Sequence, residues 1–451
     1  MRRRLARYMA VMVLVALPVF VGFAGPDVSS GRWDRVAGSA SGVLRELLTT
    51  PAAAARDENT IPFEAYKQAL DVLKHDYYGP PIDAKKTRDL TYAAIRGMLY
   101  TLNDPFTSFL DPDEWTQMQQ TTRGDFEGIG AVLEPYGQDV RVVRPIEGSP
   151  AYRAGLKPHD VIYSVTNYDH GAKKTTVVLG KNINDVVKLI KGPQGTPVDV
   201  AVIRKGHSAP ITFHLIRAHI EPPTVRYWME DPKNKIGRIL LNEFNEKSDA
   251  QFDKAYQALM AKGMRGLIFD LRYNPGGLLN VAIDIGSRFI DSGPVVIIQE
   301  KNGQRQAYGA RVRKHHVNVP VVVLINESSA SASEIVAGAI KDNKAGILVG
   351  THTFGKGLVQ TLFPLSDGSA LRLTTAKYFT PKGNDISNKY DEEHRPIFGT
   401  GGIKPDVVVT QPDTFTSLDW AEENKKNDAQ LKKAIEILRT RLAQNPGRNP
   451  Q

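Results

Sequence analysis

Between Lys235 and about Lys382, short runs of apolar residues alternate with longer amphipathic segments. The short runs have the length of strands, and the longer segments have the three-and-four spacing of a helix. Strands are predicted at Ile236–Phe244, Arg265–Leu271, Val295–Gln299, Val319–Ile325 and Gly346–Gly350. Helices are predicted at Ser248–Ala261, Leu278–Phe289 and Ala332–Lys341. Alternation at this spacing indicates an α/β core with a largely parallel sheet.

The N-terminus has the pattern of an export signal. Four arginines within the first seven residues precede an almost unbroken apolar run, Tyr8–Ala24. This run is shorter than the roughly 20 residues of a bilayer-spanning helix, and it fits the apolar part of a secretory signal. Residues 1–24 are predicted to be a signal peptide or an uncleaved inner-membrane anchor, and residues 25–60 a linker. The protein is therefore expected in the periplasm or cell envelope.

Length, charge and cysteine content exclude several classes of protein. A chain of 451 residues predicts two to four domains at roughly 100–200 residues each. Much of the net charge of +9 comes from the N-terminal arginines, so no nucleic-acid partner is predicted. The sequence contains no cysteine. Disulfides, thiolate metal sites and cysteine nucleophiles are therefore excluded.

Residues 61–125 are predicted to be helical, and residues 126–220 to form strands and turns. Two amphipathic helices are expected between Phe63 and Leu102, separated by the breaker Gly79-Pro80-Pro81. In the second region, strands are predicted at Ile129–Leu133, Asp139–Val143, Asp160–Val165 and Val198–Ile203. Short helices are predicted at Pro150–Gly155 and Asn184–Lys191.

The strands and helices of residues 126–220 resemble a PDZ domain. The turn Gly128-Ile129-Gly130 matches the loop with which that family binds a peptide's terminal carboxylate. The resemblance implies that a protein tail adds to the sheet as a strand, beside the helix Asn184–Lys191. His159 stands where the family usually has glycine. The alternative is that the glycines of the turn only form a tight hairpin.

Ser331 is a candidate nucleophile at a strand-to-helix junction. It follows the apolar strand Val319–Ile325 and precedes the helix Ala332–Lys341. Free N–H groups and the positive end of the helix dipole can stabilise an oxyanion at such a place. Ser331-x-x-Glu334 is also a capping box, in which the hydroxyl only satisfies a backbone N–H. The motif alone does not decide whether Ser331 is a nucleophile or only a helix cap.

Lys356 is a candidate general base. It lies between two glycines with apolar neighbours, and burial would lower its pKa. Gln360 could orient the amine without returning a proton to it. The alternatives are a solvated loop lysine and an exposed strand glutamine. Residues 350–356 also match most of a phosphate-binding loop, but Gly357 stands where Ser or Thr must ligate magnesium, so nucleotide binding is set aside.

Taken together, these motifs resemble the carboxy-terminal processing, or tail-specific, proteases. The matching segments are Ser329–Ile335, Phe354–Gly357 with Gln360, Leu271–Gly277 and, in the helical cap of that family, Gly97–Leu110. The resemblance covers roughly residues 60–410. It implies a multidomain α/β plus α+β fold, with a crotonase-like (ClpP-like) protease core over residues 221–410. A PDZ domain and a helical cap would precede that core.

The same resemblance implies the roles of the site residues in a serine endopeptidase. Ser331 would be the nucleophile, Lys356 the general base, and Gln360 the residue that positions Lys356. The backbone N–H groups of Ala332 and of the Gly276-Gly277 turn would form the oxyanion hole. No metal and no cofactor is expected. The expected partners are C-terminal tails of proteins, an activator or adaptor protein, and a second copy of the chain.

Other functions and layouts have less support from the sequence. No histidine lies in a catalytic motif, and neither Gly-x-Ser-x-Gly nor His-Glu-x-x-His occurs. A non-catalytic PDZ adaptor of the cell envelope remains an alternative, as does a cytosolic nucleotide-binding protein if the export signal is spurious. Residues 411–451 end in an amphipathic segment, Asp428–Leu442, that is expected to be a packing or dimer surface.

Overall fold

The computed structural model describes residues 63–169, 172–312, 315–392, 395–397, 399–412 and 427–444. The signal or anchor predicted at residues 1–24 and the linker at residues 25–60 lie outside these ranges. Within them, no helix combines the length and the apolar character needed to cross a bilayer. The chain divides between Asp83 and Ala84 into two compact units.

The first unit contributes one described helix, and the second begins with another. Helix α1 (Phe63–Asp76) has no buried residue. Helix α2 (Ala84–Tyr100) buries Leu99. These are the two helices that the apolar spacing predicted. They are followed by strand β1 (Ser108–Leu110) and helix α3 (Pro112–Arg123).

Residues 126–220 form a domain, here called the inserted domain, with one six-stranded sheet. Its strands lie in the order β3 (Ala131–Tyr136), β4 (Asp139–Pro145), β5 (Val161–Asp169), β7 (Pro197–Ile203) and β8 (Ile211–Ile216), with β6 (Ala172–Val177) paired to β5. Two helices belong to the domain, α4 (Pro150–Ala154) and α5 (Ile183–Ile190). An antiparallel pair, β2 (Phe126–Gly128) and β9 (Ala218–Ile220), connects its two ends.

Most elements of the inserted domain agree with the prediction. Strands β3, β4, β5 and β7 and both helices lie where the sequence placed them, within a few residues. Strand β6 was missed because it reads Ala-Lys-Lys-Thr-Thr-Val, is mostly exposed and lacks apolar alternation. His159 has φ 71°, a left-handed conformation that favours glycine, which explains why glycine would be the usual residue there.

From Val225 onward the chain forms an α/β core. Its main sheet has the strand order β10 (Val225–Asp231), β11 (Ile236–Leu241), β12 (Gly266–Asp270), β15 (Val321–Ile325), β16 (Ile347–Gly350) and β21 (Val407–Val408). Every neighbouring pair is parallel except β10 with β11. The intervening helices are α6 (Ser248–Ala261), α7 (Leu279–Gly286) and α8 (Ala332–Asp342). The predicted α/β core with a largely parallel sheet is confirmed.

A second sheet of the core is antiparallel. Its strands are β1, β18 (Ala370–Phe379), β13 (Pro294–Glu300) and β14 (Arg305–Gly309), with β17 (Leu358–Pro364) paired to β18. The segment Val295–Gln299 was expected among the strands of the α/β alternation and instead belongs here. The physical reason is the tight turn at Asn302-Gly303, which returns the chain as a hairpin, and hairpin strands are antiparallel. A short pair, β19 (Lys389–Tyr390) with β20 (Pro396–Ile397), precedes β21.

The C-terminal helix α9 (Ala429–Gln444) packs on the parallel sheet. Leu431 and Leu438 are buried there, in a cluster with Ile268 and Val322 of the sheet. The apolar stripe that the sequence assigned to packing or dimerisation is thus used inside the molecule. Because its buried face is covered, that face does not support the predicted homodimer, which stays a prediction.

Candidate active site

Ser331 lies where the buried strand β15 gives way to helix α8. All five residues of β15 are buried, and α8 begins at the next residue, Ala332. The Ser331 backbone has φ 54° and ψ −113°, whereas a residue that caps a helix ordinarily has extended backbone angles. Strain of this kind costs about 1–3 kcal/mol and is concentrated at functional sites. Helix capping alone therefore does not account for Ser331.

The Glu334 carboxylate connects Ser331 to the loop that carries Lys356. It is fully buried, and its Oε2 accepts hydrogen bonds from the N–H groups of Ser331 at 2.8 Å and Lys356 at 3.0 Å. Its Oε1 accepts from the N–H of Gly355 at 2.7 Å and from the Thr353 hydroxyl at 2.6 Å. Of the predicted capping box, the contact from the Ser331 N–H to Glu334 is present, whereas the Glu334 N–H donates to the backbone oxygen of Ser331 at 2.8 Å. Glu334 also anchors the second loop, which a helix cap does not require.

The Lys356 amine is largely buried beside an uncharged partner. Its Nζ donates to Oε1 of Gln360 at 2.8 Å. Burial lowers the pKa of Lys356, and the positive charge of Arg372 lowers it further, while the carboxylates of Asp104 and Glu334 oppose this. A lowered pKa increases the neutral fraction of the amine near pH 7. Only the neutral amine can act as a base.

Gln360 is held from two sides. The pairing of β17 with β18 is irregular between Val359 and Gln360, and such irregularities re-aim side chains beside active sites. The Nε2 of Gln360 donates to the backbone carbonyl of Phe106. Since the amide donates through its nitrogen there, its oxygen is the atom presented to Lys356.

Ser331 and Lys356 line the same cavity, which has a volume of about 620 Å³. The other predicted residues of the catalytic machinery also line it: Gln360, Ala332, Gly276 and Gly277. The structure therefore brings all six together from three separate segments. The predicted tail-binding residues Gly128, Ile129 and Gly130 lie elsewhere, along a groove of about 150 Å³ in the inserted domain.

The turn at Gly276 and Gly277 lies directly against the start of α8. A Cβ atom on Gly276 would come within 2.8 Å of the Ser331 Cβ and 2.9 Å of the Ala332 nitrogen, so no larger residue fits. The N–H of Gly276 donates to Oδ1 of Asn274 at 2.9 Å. The Gly276 N–H is therefore engaged within the turn itself. The sequence left open which glycine of this turn would donate to an oxyanion.

Sequence reasoning missed three side chains close to the catalytic groups. The Phe106 ring centroid lies 5.0 Å from Lys356 Nζ, and both Arg372 and Glu243 line the cavity. Burial raises the pKa of Glu243 to about 7. No local motif marks Arg372 or Glu243. Phe106 lies in the matched segment of the helical cap, but its role was not visible there, because its partner Gln360 is 254 residues away.

Three potential metal ligands meet outside the cavity, at the β2–β9 pair. They are Asp125, His219 and Glu221. The Lys247 ammonium lies 2.7 Å from the Glu221 carboxylate and 3.7 Å from that of Asp125. A metal ion would therefore have to displace a cation that already neutralises both carboxylates. None of these residues lines the cavity of Ser331 and Lys356.

Two relatives resemble this chain over most of its length. A carboxyl-terminal-processing protease of Synechocystis sp. is 35% identical over 371 residues, which are 81% of this chain and 80% of that protein. The carboxy-terminal processing protease CtpA of Bacillus subtilis is 36% identical over 364 residues, 80% of this chain and 72% of that protein. The chain belongs to the carboxy-terminal processing proteases.

The profile of peptidase family S41 matches residues 235–409 of this protease, which include Ser331 and Lys356. Among solved structures, the photosystem II D1 C-terminal processing protease is 33% identical with a TM-score of 0.44, and the match covers 76% of this chain and 86% of that one. The family that the sequence motifs resembled is confirmed. The protease is a serine-type peptidase of family S41.

Glu334→Gln should destabilise the protease, because the new amide NH₂ would meet N–H donors where an oxygen now accepts from them. Two buried donors would lose their acceptor, so the free energy of unfolding should fall by about 2–4 kcal/mol. Denaturant unfolding measures this change. The control is Glu327→Gln, an exposed residue of the preceding turn, which should change the free energy by less than about 0.5 kcal/mol. If Glu334→Gln and Glu327→Gln had the same free energy of unfolding, the Glu334 carboxylate would not hold the two loops together.

Proposed function

We propose that the protease cleaves polypeptides with a Ser–Lys dyad. The observation that carries the proposal is that a strained serine and an amine with a lowered pKa line one cavity. Neutral Lys356 Nζ takes the proton of Ser331 Oγ as Oγ bonds to the scissile carbonyl carbon. The ammonium then gives this proton to the leaving amine. In the second half, the same amine takes a proton from the water that hydrolyses the acyl-enzyme.

The N–H groups of Ala332 and Gly277 are the proposed donors to the oxyanion. Both residues line the cavity, and Ala332 is the first residue of α8. A helix N-terminus combines unpaired N–H groups with the positive end of the helix dipole, and both stabilise developing negative charge. The sequence left open which glycine completes the pair, and Gly277 is proposed because the N–H of Gly276 donates to Asn274.

Ser331→Ala and Lys356→Met should each lower kcat/KM for an unfolded protein with an apolar C-terminus by about 10⁴-fold or more. Removal of either group prevents formation of the acyl-enzyme, and circular dichroism should show that both variants stay folded. The matched control is Ser328→Ala, since Ser328 is exposed in the same turn, and it should retain activity. Ser333 is unsuitable as a control because it is buried and its hydroxyl donates to the Asn274 carbonyl at 2.9 Å.

A non-catalytic adaptor would share this fold, so the same variants must separate the two functions. A serine-directed fluorophosphonate should label the wild-type chain and Ser328→Ala but not Ser331→Ala. Cleavage by Ser331→Ala at the wild-type rate would show that the nucleophile is wrong. Absence of both labelling and cleavage in the wild-type chain, with tail binding intact, would favour the adaptor.

We also propose that the inserted domain is a PDZ domain that captures C-terminal tails. Strand β3 lies at the edge of its sheet, and the groove beside β3 and α5 is lined by apolar residues such as Leu133 and Val187. An extended tail would add to β3 as a further strand. Its carboxylate would lie at residues 128–130, where Gly130 has φ 76° and a Cβ would come 2.2 Å from that of Ser149.

Helix α3 supports a proposed connection between tail binding and cleavage. Lys191, at the groove, donates to the Gln120 side chain of α3 at 3.5 Å. Other side chains of the same helix line the catalytic cavity: Met118, Thr121 and Thr122. A tail bound beside Lys191 would alter this contact and so shift the domain between positions that obstruct or open the site. The shift is limited by the difference in tail affinity between the two states.

Val187→Asp should weaken tail binding by about tenfold or more, because it places a carboxylate in the groove that receives a carboxylate. Fluorescence anisotropy with a labelled peptide ending in apolar residues measures the Kd. Lys188→Asp is the control, since Lys188 is exposed on the same helix and does not line the groove. A peptide with an amidated C-terminus should bind weakly to every variant. Equal binding of the amidated and free peptides would contradict carboxylate recognition.

We infer from residues 1–24 that the protease is exported to the periplasm or cell envelope. The support is the arginine cluster followed by the apolar run Tyr8–Ala24. The protein should fractionate with the periplasm or membranes, and N-terminal sequencing should show whether the segment is removed. A cytoplasmic protein with an intact N-terminus would contradict export.

A further inference from the structure

The loop Asp104–Thr107, which lies between α2 and β1, touches both Lys356 and Gln360 through one residue. The Phe106 ring centroid is 5.0 Å from Lys356 Nζ. The Phe106 carbonyl accepts a hydrogen bond from Nε2 of Gln360. A single residue of the helical region thus contacts the general base directly and also through the amide that orients it.

The carbonyl contact determines which end of the Gln360 amide faces the lysine. An amide has an oxygen that only accepts and an NH₂ group that only donates. Reversal of Gln360 would place its oxygen against the Phe106 carbonyl, and that hydrogen bond would be lost. Its NH₂ would then face the lone pair that neutral Lys356 needs in order to take a proton. The Phe106 carbonyl therefore selects the orientation in which Oε1 lies 2.8 Å from Lys356 Nζ.

The loop itself is fixed to the antiparallel sheet. The Asp104 carboxylate accepts from the Phe106 N–H at 2.9 Å and from the Thr107 hydroxyl at 2.6 Å. The Thr107 oxygen in turn accepts from the Thr374 N–H at 3.2 Å. Thr374 lies directly opposite Gln360 across the β17–β18 pair. The loop is therefore fixed to β18 at the residue that pairs with Gln360.

The ring contact differs between the two protonation states of the amine. An aromatic face attracts a cation within about 6 Å, so the ring favours the ammonium over the neutral amine. In the proposed mechanism, Lys356 becomes an ammonium each time it takes the serine proton. The ring thus stabilises the form of the base that arises as the nucleophile attacks, whereas burial and Arg372 act in the opposite direction.

We propose that Phe106 is a positioning residue of the protease, whose carbonyl orients Gln360 and whose ring holds and stabilises the protonated Lys356. The inference rests on the proposed Ser–Lys dyad and extends it, because it makes the helical region a part of the active site. The charged groups that act on Lys356 are Arg372 on β18, Asp104 in the loop and Glu334 on α8. Glu243 lines the same cavity and also titrates.

The test compares Phe106→Leu, Phe106→Met and Phe106→Tyr in the full-length chain. Leucine and methionine fill much of the space without a ring, and tyrosine keeps the ring. All variants keep the backbone carbonyl, so the experiment isolates the ring. Cleavage of the unfolded-protein substrate is followed against pH in chains that also carry Glu243→Gln, which removes the Glu243 titration. Phe363→Leu, an exposed aromatic residue of β17, controls for general loss of an aromatic side chain.

In Phe106→Leu and Phe106→Met, kcat should fall about tenfold with little change in KM. The rising limb of the pH profile should move to lower pH by about half a unit, because loss of the ring lowers the pKa of Lys356. Phe106→Tyr should restore both quantities, and Phe363→Leu should match the parent chain. A merely structural role would reduce the active fraction without moving the profile.

A pH profile unchanged in both Phe106→Leu and Phe106→Met would overturn the inference. Ser331→Ala is assayed in parallel and separates the two proposals. If it is inactive while the profiles of the Phe106 variants match the parent, the dyad stands and the role of Phe106 is wrong. If Ser331→Ala cleaves normally, the dyad is wrong, and the inference that rests on it is overturned as well.

Discussion

The buried carboxylate of Glu334 is the interaction on which the geometry of the site depends. A fully buried carboxylate is costly unless hydrogen bonds satisfy it, and five donors meet this one, the fifth being the Tyr378 hydroxyl at 3.5 Å. Two of them belong to the backbone at Ser331 and Lys356. Because one rigid group binds both, the serine and the lysine backbones are held in register. If only some of these hydrogen bonds formed, the buried carboxylate would be less stable than an apolar side chain in its place. The network therefore stabilises only the conformation in which all of them form.

The parallel sheet brings the remaining parts of the site together. Strands β12, β15 and β16 are neighbours, and their carboxyl ends meet at one edge of the sheet. The glycine turn follows β12, Ser331 follows β15, and Lys356 follows β16. Crevices outside the carboxyl ends of such strands are the usual position for ligands in open α/β sheets. The antiparallel sheet then supplies Gln360, and the loop before β1 reaches it through Phe106.

The inserted domain and the helical region contribute to this site in different ways. The inserted domain holds its groove apart from the cavity, and α3 contacts the surroundings of both. The loop Asp104–Thr107 instead contacts the Lys356 amine and its amide partner Gln360. In the proposed mechanism, the inserted domain selects the tail and the loop completes the base.

The sequence by itself determined the α/β alternation and the helices of the N-terminal region, and it named Ser331, Lys356 and Gln360 as candidates, because these signals are periodic or lie in short contiguous motifs. Only the tertiary structure decided that these three residues line one cavity and that the Asn274 side chain engages the N–H of Gly276. It also decided that β13 joins the antiparallel sheet and that α9 packs on the parallel one. The contacts of Phe106 with Lys356 and Gln360 were likewise visible only there. These outcomes depend on hydrogen bonds and burial between segments far apart in the chain, and local periodicity carries no information about which distant groups meet.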